Sequence, residues 1–320
     1  MDVRIGVDIN EAAAALTRGK LVAIPTETVY GLAADARNAD AVRKVFEVKG
    51  RPEHHPVIVH LAEARWAKHW AERIPEIFWT LAAEFWPGPL TMVVPRHPSV
   101  SNLITGSQRT IALRIPAHPL SLELLGKLGR SVVAPSANRF GHISPTSAQH
   151  VADDLGDGVS YVLDGGPCKV GLESTILDLT CSPARILRPG RLSREILERF
   201  LPLETDPNAP TETRAPGMLA QHYAPSCPTF VADAKRLSQP LGDGLALLAY
   251  DASSVGFEPA HRNDLPSDPE GYGHGLYAAL RALEDSKPRA IVIQQVPAGP
   301  EWVAVSDRLQ RAARPWPDNW

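Results

Sequence analysis

Short apolar runs alternate with amphipathic stretches through residues 1–202 of the chain. Leu21-Val-Ala-Ile24, Pro56-Val-Ile-Val-His60, Leu90-Thr-Met-Val-Val94, Ile111-Ala-Leu-Arg-Ile115 and Ser131-Val-Val-Ala134 are short, often β-branched and flanked by Pro or Gly, which predicts strands. Tyr161-Val-Leu163, Ser174-Thr-Ile-Leu177 and Ala184-Arg-Ile-Leu187 predict more. Between them, Ala39–Val48, Ile77–Trp86, Leu120–Leu128 and Ser147–Leu155 have helical periodicity, and Thr146 with Gln149 has the spacing of a capping box. Strands outnumber helices, so the expected fold is α/β in the broad sense (α+β), a mixed sheet packed by helices.

Residues 203–227 break the pattern. Leu203 to Pro216 carries three prolines and few large apolar side chains, which predicts an extended, semi-rigid linker. Pro216-Gly-Met218 and His222-Tyr-Ala-Pro225 follow. From 228 to 320, strands at Thr229-Phe-Val231, Leu245–Tyr250 and Ala290-Ile-Val-Ile293 and helices at Leu276–Leu283 and Trp302–Ala313 predict a small, parallel, Rossmann-like domain. It lacks GxGxxG, so a dinucleotide site is not supported.

Composition narrows the function. The formal charge is −3, so any polyanion must meet a local basic cluster. Three separated cysteines, Cys168, Cys181 and Cys227, signal neither a zinc site nor a disulfide framework, which fits a reducing cytoplasm. No signal segment or membrane span is read.

Five segments hold polar chemistry. Pro25-Thr-Glu-Thr-Val-Tyr-Gly31 follows a strand, where α/β sheets bind ligands; a polar turn with Thr26 as a cap reads equally well. Lys49-Gly-Arg51-Pro52 ends a helix. A Lys and an Arg there can clamp phosphates, or simply complete a C-cap. His54, His55 and His60 follow, without carboxylate or thiol spacing for a metal. Arg114 alternates onto one strand face with Thr110 and Ala112, and there needs an anion, either a substrate or an internal acid. Val132-Val-Ala-Pro-Ser136-Ala-Asn138 runs from a strand into a hydroxyl- and amide-rich loop suited to nucleotide recognition or capping, and the loop is longer than capping requires. Gly171-Leu-Glu-Ser-Thr175 and Ile186-Leu-Arg188-Pro-Gly190-Arg191 add hydroxyls and cations. No P-loop, GxSxG or kinase signature occurs.

These motifs occur in a family order. Thr26-Glu-Thr-Val-Tyr-Gly-Leu32, Lys49-Gly-Arg51-Pro52, Phe85-Trp-Pro-Gly-Pro-Leu-Thr91, Arg114-Ile-Pro116, Ala134-Pro-Ser-Ala-Asn138 with Ser144-Pro-Thr146, and Gly171-Leu-Glu-Ser-Thr175 with Leu187-Arg-Pro-Gly190 together resemble the YrdC-like threonylcarbamoyl-AMP synthases. The linker and second domain resemble their longer, two-domain form. The resemblance implies a cytoplasmic nucleotidyltransferase that makes L-threonylcarbamoyl-adenylate and pyrophosphate from L-threonine, bicarbonate and ATP. Its product would serve threonylcarbamoylation of adenosine 37 in ANN-decoding tRNA. The implied recipient is a tRNA threonylcarbamoyl transferase complex, with direct tRNA contact left open.

By motif position, Thr28, His60, Arg114, Ala134 and Ser174 resemble threonine contacts. Arg51, His55, Thr110, Ser136, Asn138, Ser144, Arg188 and Tyr223 resemble ATP contacts. Lys49 and Arg51 are the implied catalytic cations, Mg²⁺ would accompany ATP, and the linker would fold over the site. The chain departs from the family pattern at His55-Pro56, where Asn-Pro is common, and at Leu219, Ala220 and Gln221, where basic residues are common. Two other readings remain at this point. One is carbamoyl transfer, whose known forms carry acylphosphatase and zinc-finger regions absent here. The other is an RNA-binding module, which net acidity disfavours.

Overall fold

The computed structural model describes residues 3–206, 211–218, 222–250 and 255–316. The chain divides into two compact units. One comprises Met1–Phe140, Pro145–Lys169 and Glu173–Met218; the other comprises Gly141–Ser144, Val170–Leu172 and Leu219–Trp320. Leu219, Ala220 and Gln221 lie outside the described residues.

In the first unit the elements run β1 (Ile5–Gly6), α1 (Ile9–Thr17), β2 (Val22–Ile24), β3 (Gly31–Asp35), α2 (Ala39–Lys49), β4 (Ile58–His60), α3 (Glu76–Phe85), β5 (Leu90–Pro95) and α4 (Asn102–Thr105). They continue as β6 (Thr110–Arg114), α5 (Pro119–Leu128), β7 (Val132–Val133), α6 (Ala148–Leu155), β8 (Tyr161–Leu163), β9 (Thr175–Asp178), β10 (Arg185–Arg188) and α7 (Arg194–Leu197). The strands form one mixed sheet in the order β1-β8-β2-β3-β7-β4-β6-β5-β9-β10. The expected mixed α/β sheet is therefore present.

Alternation along the strands sorts side chains onto two faces. Val59, Met92, Val94, Ile111, Leu113, Val133 and Leu177 point into the main core, where α2 contributes Val42, Val45 and Phe46 and α3 contributes Phe78 and Leu81. The opposite face is covered by α1 and α5 over β2, β3 and β7, through Leu16, Leu124 and Leu125 against Val22, Ala33 and Val132. Over β4, β6, β5 and β9 that same face has a much smaller apolar cluster. There Ile58, Val93, Ala112, Ile176 and Leu187 pack with Ala215 and Met218.

Several elements were not anticipated. β3 reads Gly31-Leu-Ala-Ala-Asp35, with no β-branched residue, yet pairs antiparallel with both β2 and β7. Tertiary pairing overrides its weak propensity. α1 opens on Asp8, whose carboxylate accepts from the N–H groups of Asn10 and Glu11. The expected Thr146–Gln149 capping box is corrected by one position. Ser147 is the cap and accepts from His150 N, Thr146 N donates to His150 Nδ1, and Gln149 reaches Asp153 instead.

The second unit contains β11 (Thr229–Ala232), α8 (Ala234–Leu237), β12 (Leu245–Ala249), β13 (His261–Asp264), α9 (Pro269–Asp285), β14 (Ala290–Gln294) and α10 (Val303–Ala312). Its four strands are all parallel in the order β11-β14-β12-β13, the Rossmann-like sheet expected, with β13 as an additional polar edge strand. Gly171 belongs to this unit. Its φ of +77° and a built Cβ only 2.5 Å from His274 O leave room for no side chain.

Candidate functional site

Most of the candidate residues belong to the first unit, and strand register places several on its sparsely covered face. β4 and β6 pair parallel, with Ile58 opposite Ala112 and His60 opposite Arg114. β5 runs antiparallel to β6 and parallel to β9, which aligns Thr91 with Arg114 and with Ile176. Thr110 and Arg114 therefore share the face of Ile58, His60 and Thr91, as the alternation of β6 predicts. The segment that leads into β4 starts at Pro56, whose carbonyl accepts from Arg51 Nη2 at 2.8 Å, and runs extended to His60 at the end of the strand. At ~3.3 Å per residue that is roughly 13 Å, enough to separate two substrate groups.

At one end lie Lys49, Arg51, His55, Ser136 and Asn138. Ala41, Val42, Val45, Phe46 and Lys49 form the buried stripe of α2, so helical periodicity itself turns Lys49 inward. Its ammonium donates to the carbonyls of Ser136 and Asn138, both at 2.6 Å, while its own carbonyl accepts from Phe140 N. Burial, and then Arg51, hold the Lys49 pKa well below that of an ordinary lysine. Gly50 terminates the helix in the left-handed conformation. The C-cap reading and the site reading of Lys49-Gly-Arg51 thus describe the same residues. Arg51 lies over the Phe140 ring, 5.5 Å from its centroid, and His55 meets that ring edge-on at 5.3 Å. Burial and the adjacent Arg51 lower His55 to about 4, so its imidazole is neutral at pH 7.

The segment Thr26–Gly31 joins the two ends. Thr26 Oγ1 lies 2.8 Å from Thr28 Oγ1 and accepts from the N–H groups of Thr28 and Val29, making a turn rather than a helix cap. Leu32 N donates to Pro135 O and Ala137 N to Tyr30 O, which fixes the Ser136 loop against it. Ala134 N donates to Ile58 O.

At the other end, Arg114 has an internal acid. Its Nη2 lies 2.6 Å from Glu27 Oε1, and its Nε donates to Gly88 O at 3.2 Å. Burial, reinforced by Arg114, lowers His60 to about 3. Ser174 Oγ lies 2.7 Å from Thr91 Oγ1 and accepts from Arg188 Nη2, while Arg188 Nε donates to Ser174 O. Arg188 Nη1 donates to Pro216 O. The turn behind Arg188 presses so closely on this strand that a Cβ at Gly190 would stand 2.4 Å from Thr175 N.

Ser144 and Tyr223 belong to the second unit. There Tyr223 adopts φ +62°, its ring packs against His222 and Tyr277, and the Arg308 guanidinium lies 5.2 Å from its centroid. Ser144 is buried. Sequence reasoning did not single out Glu27, Thr91 or Phe140. Glu27 and Thr91 lie inside motifs named above and Phe140 lies two residues beyond Asn138; the contacts that give them weight are long-range.

Fold and site together define a two-unit α/β protein whose larger sheet offers one face of buried arginines, hydroxyls and neutral imidazoles. The chain belongs to the threonylcarbamoyl-AMP synthase family, in its two-domain form. Residues 14–190 match the Sua5/YciO/YrdC family described as telomere recombination, and residues 192–314 match the family described as threonylcarbamoyl-AMP synthase, C-terminal domain. A threonylcarbamoyl-AMP synthase of Pyrococcus abyssi is 38% identical over 95% of this chain and 94% of its own length. One from Bacillus subtilis is 36% identical over 95% and 92%. The crystal structure of P. abyssi Sua5 complexed with L-threonine superposes with a TM-score of 0.89 at 34% identity, covering 98% of each chain. Escherichia coli YciO, at 19% identity and a TM-score of 0.52, shares the fold over 62% of this chain. The chain is thus an enzyme of this family. Among the described residues no helix is long and apolar enough to cross a membrane.

Proposed function

We propose that this chain condenses L-threonine, bicarbonate and ATP into L-threonylcarbamoyl-adenylate, releasing pyrophosphate and water. The observation that carries the reading is the shared face. It joins an arginine and hydroxyl end (Arg114, Ser174) to a lysine and arginine end (Lys49, Arg51) along β4. The threonine complex of the P. abyssi relative supports the amino-acid half.

In this reading Thr28, His60, Arg114, Ala134 and Ser174 hold threonine. Arg51, His55, Thr110, Ser136, Asn138 and Arg188 hold ATP. The threonine amine adds to carbon dioxide derived from bicarbonate and forms a carbamate. A carbamate oxygen attacks the α-phosphorus, and the bond to the β,γ-phosphates breaks. Such a step needs placement and charge neutralisation rather than a protein nucleophile. Three buried arginines, Arg51, Arg114 and Arg188, fit that need. Lys49 holds the loop of Ser136 and Asn138 in place.

Among the described residues no group of three or more His, Cys, Asp or Glu side chains is placed to hold a metal. Mg²⁺ is assigned to the nucleotide phosphates and water, where it would neutralise charge. The proposed use of the product is modification of adenosine 37 in tRNA, through a separate transferase and in the cytoplasm.

The test is pyrophosphate release with each substrate omitted in turn. Release that requires threonine and bicarbonate together supports the assignment. Equal release with serine, alanine or no amino acid refutes it. Arg51→Ala should abolish turnover while leaving the fold intact, and near-normal turnover would remove Arg51 from the phosphate site.

A further inference from the structure

We propose that Glu27 is a positioning residue that aims Arg114 at the substrate carboxylate, and so sets the affinity for the amino acid. The inference rests on the threonine reading above. Arg114 has three guanidinium nitrogens. Nε is taken by Gly88 O and Nη2 by Glu27 Oε1, and both side chains are almost wholly buried, at 5% and 8% exposure. Nη1 has no hydrogen-bond partner among the described residues. A guanidinium fixed on two sides presents its remaining nitrogen in one direction, on the sheet face that also carries His60 and Thr91.

Glu27 is itself held. Its second oxygen, Oε2, accepts from Ala117 N at 2.8 Å, just ahead of α5. Both carboxylate oxygens are therefore engaged, one by the arginine and one by the backbone, and the carboxylate is a fixed strut. Its backbone position is set by the Thr26 turn, whose hydroxyl accepts from the N–H groups of Thr28 and Val29. A strut of this kind lowers the freedom Arg114 would lose on binding an anion, which is how preorganisation raises affinity. It also offsets the arginine's charge, so the pocket can stand empty without a lone buried cation. Orientation and charge offset predict opposite results on removal of the carboxylate. Loss of orientation weakens threonine binding; loss of the offset alone strengthens it. With two hydrogen bonds fixing the fork, the orientation effect is assigned as the larger.

The experiment measures direct binding of L-threonine, L-threonine amide and ATP to the full chain carrying Glu27→Gln or Glu27→Asp, with steady-state kinetics alongside. Gln keeps the shape and loses the charge. Asp keeps the charge but is shorter by about 1.5 Å, so it cannot hold Arg114 and Ala117 N together. In the Gln variant the threonine Kd should rise roughly tenfold or more, with the Asp variant between it and wild type. The ATP Kd should stay within about twofold, and kcat at saturating threonine within about threefold, so that the loss appears in KM. The preference for threonine over its amide should shrink in step. Threonine binding in the Gln variant equal to or tighter than wild type overturns the proposal, as does a parallel loss of ATP binding. If the Gln variant does not fold, the Asp variant decides: a threonine Kd within about twofold of wild type overturns it. A wild-type chain that binds no threonine refutes the functional reading beneath it, and this inference falls with it.

Discussion

Replacing Lys49 with methionine isolates what the buried ammonium does. Methionine is unbranched, similar in volume and only one atom shorter, so it fills most of the same channel along α2 and cavity formation contributes little. What is lost is the donor to two carbonyls, Ser136 O and Asn138 O, each at 2.6 Å. Leaving a buried acceptor unpaired costs about 1–3 kcal/mol, so two cost roughly 2–6 kcal/mol. Relief of the desolvation that lowers the Lys49 pKa returns part of this, which leaves a net loss on the order of 2–4 kcal/mol. For a unit of this size the melting temperature should fall by roughly 5–15 °C.

The pH dependence gives an independent check. Lys49 is lowered in the folded state relative to its ordinary 10.5. Between the lowered value and 10.5 the unfolded chain binds more protons than the folded one, so stability rises with pH across that window. A neutral amine still has two N–H groups for the two carbonyls, so deprotonation does not break the clamp. Urea unfolding of wild type and Lys49→Met across this range is the assay. The variant should be less stable at every pH and should lack that part of the slope. A melting temperature within about 1 °C of wild type, together with an unchanged slope, would refute the clamp.

Three further outcomes follow from specific contacts. His60 titrates at about 3 in the folded state against 6.5, so its contribution to stability is full above 6.5 and is lost as pH falls toward 3. His60→Gln should flatten acid unfolding in that window, and an identical acid limb by circular dichroism would count against a buried neutral imidazole. Thr91→Val removes the hydroxyl 2.7 Å from Ser174 Oγ; threonine affinity should fall roughly threefold to tenfold with little change in melting, and unchanged titration calorimetry would exclude the contact. Ser147→Ala should cost about 1 kcal/mol through loss of the α6 cap while Gln149→Ala costs almost nothing; reversal in chemical denaturation would restore the original capping box.

The sequence revealed strands whose apolar residues bury on one or both faces, because β-branched runs and flanking turns are local signals. It hid β3, built of Gly, Ala and Leu, because that strand exists through its two neighbours. The same division runs through the site. Arg114 was legible as a strand arginine in need of an anion, but the choice between a substrate and an internal acid was not. The structure supplies Glu27 without excluding the substrate, since one nitrogen stays unengaged among the described residues. Lys49 was legible as a cation at a helix end. Its place on the apolar stripe of Val42, Val45 and Phe46 could have shown that it points inward.

The contacts that define the two ends of the face join residues far apart in the chain: Lys49 to Asn138 across 89 positions, Glu27 to Arg114 across 87, and Thr91 to Ser174 across 83. Each loop must close before its contact contributes, so assembly of this unit should be slow compared with helical proteins of similar size. No shorter nascent segment contains a complete binding surface. On the proposed assignment, a growing polypeptide gains the first unit's share of ligand affinity only after Arg188 has emerged and β10 has docked, and substrates present then would favour the folded form of that unit.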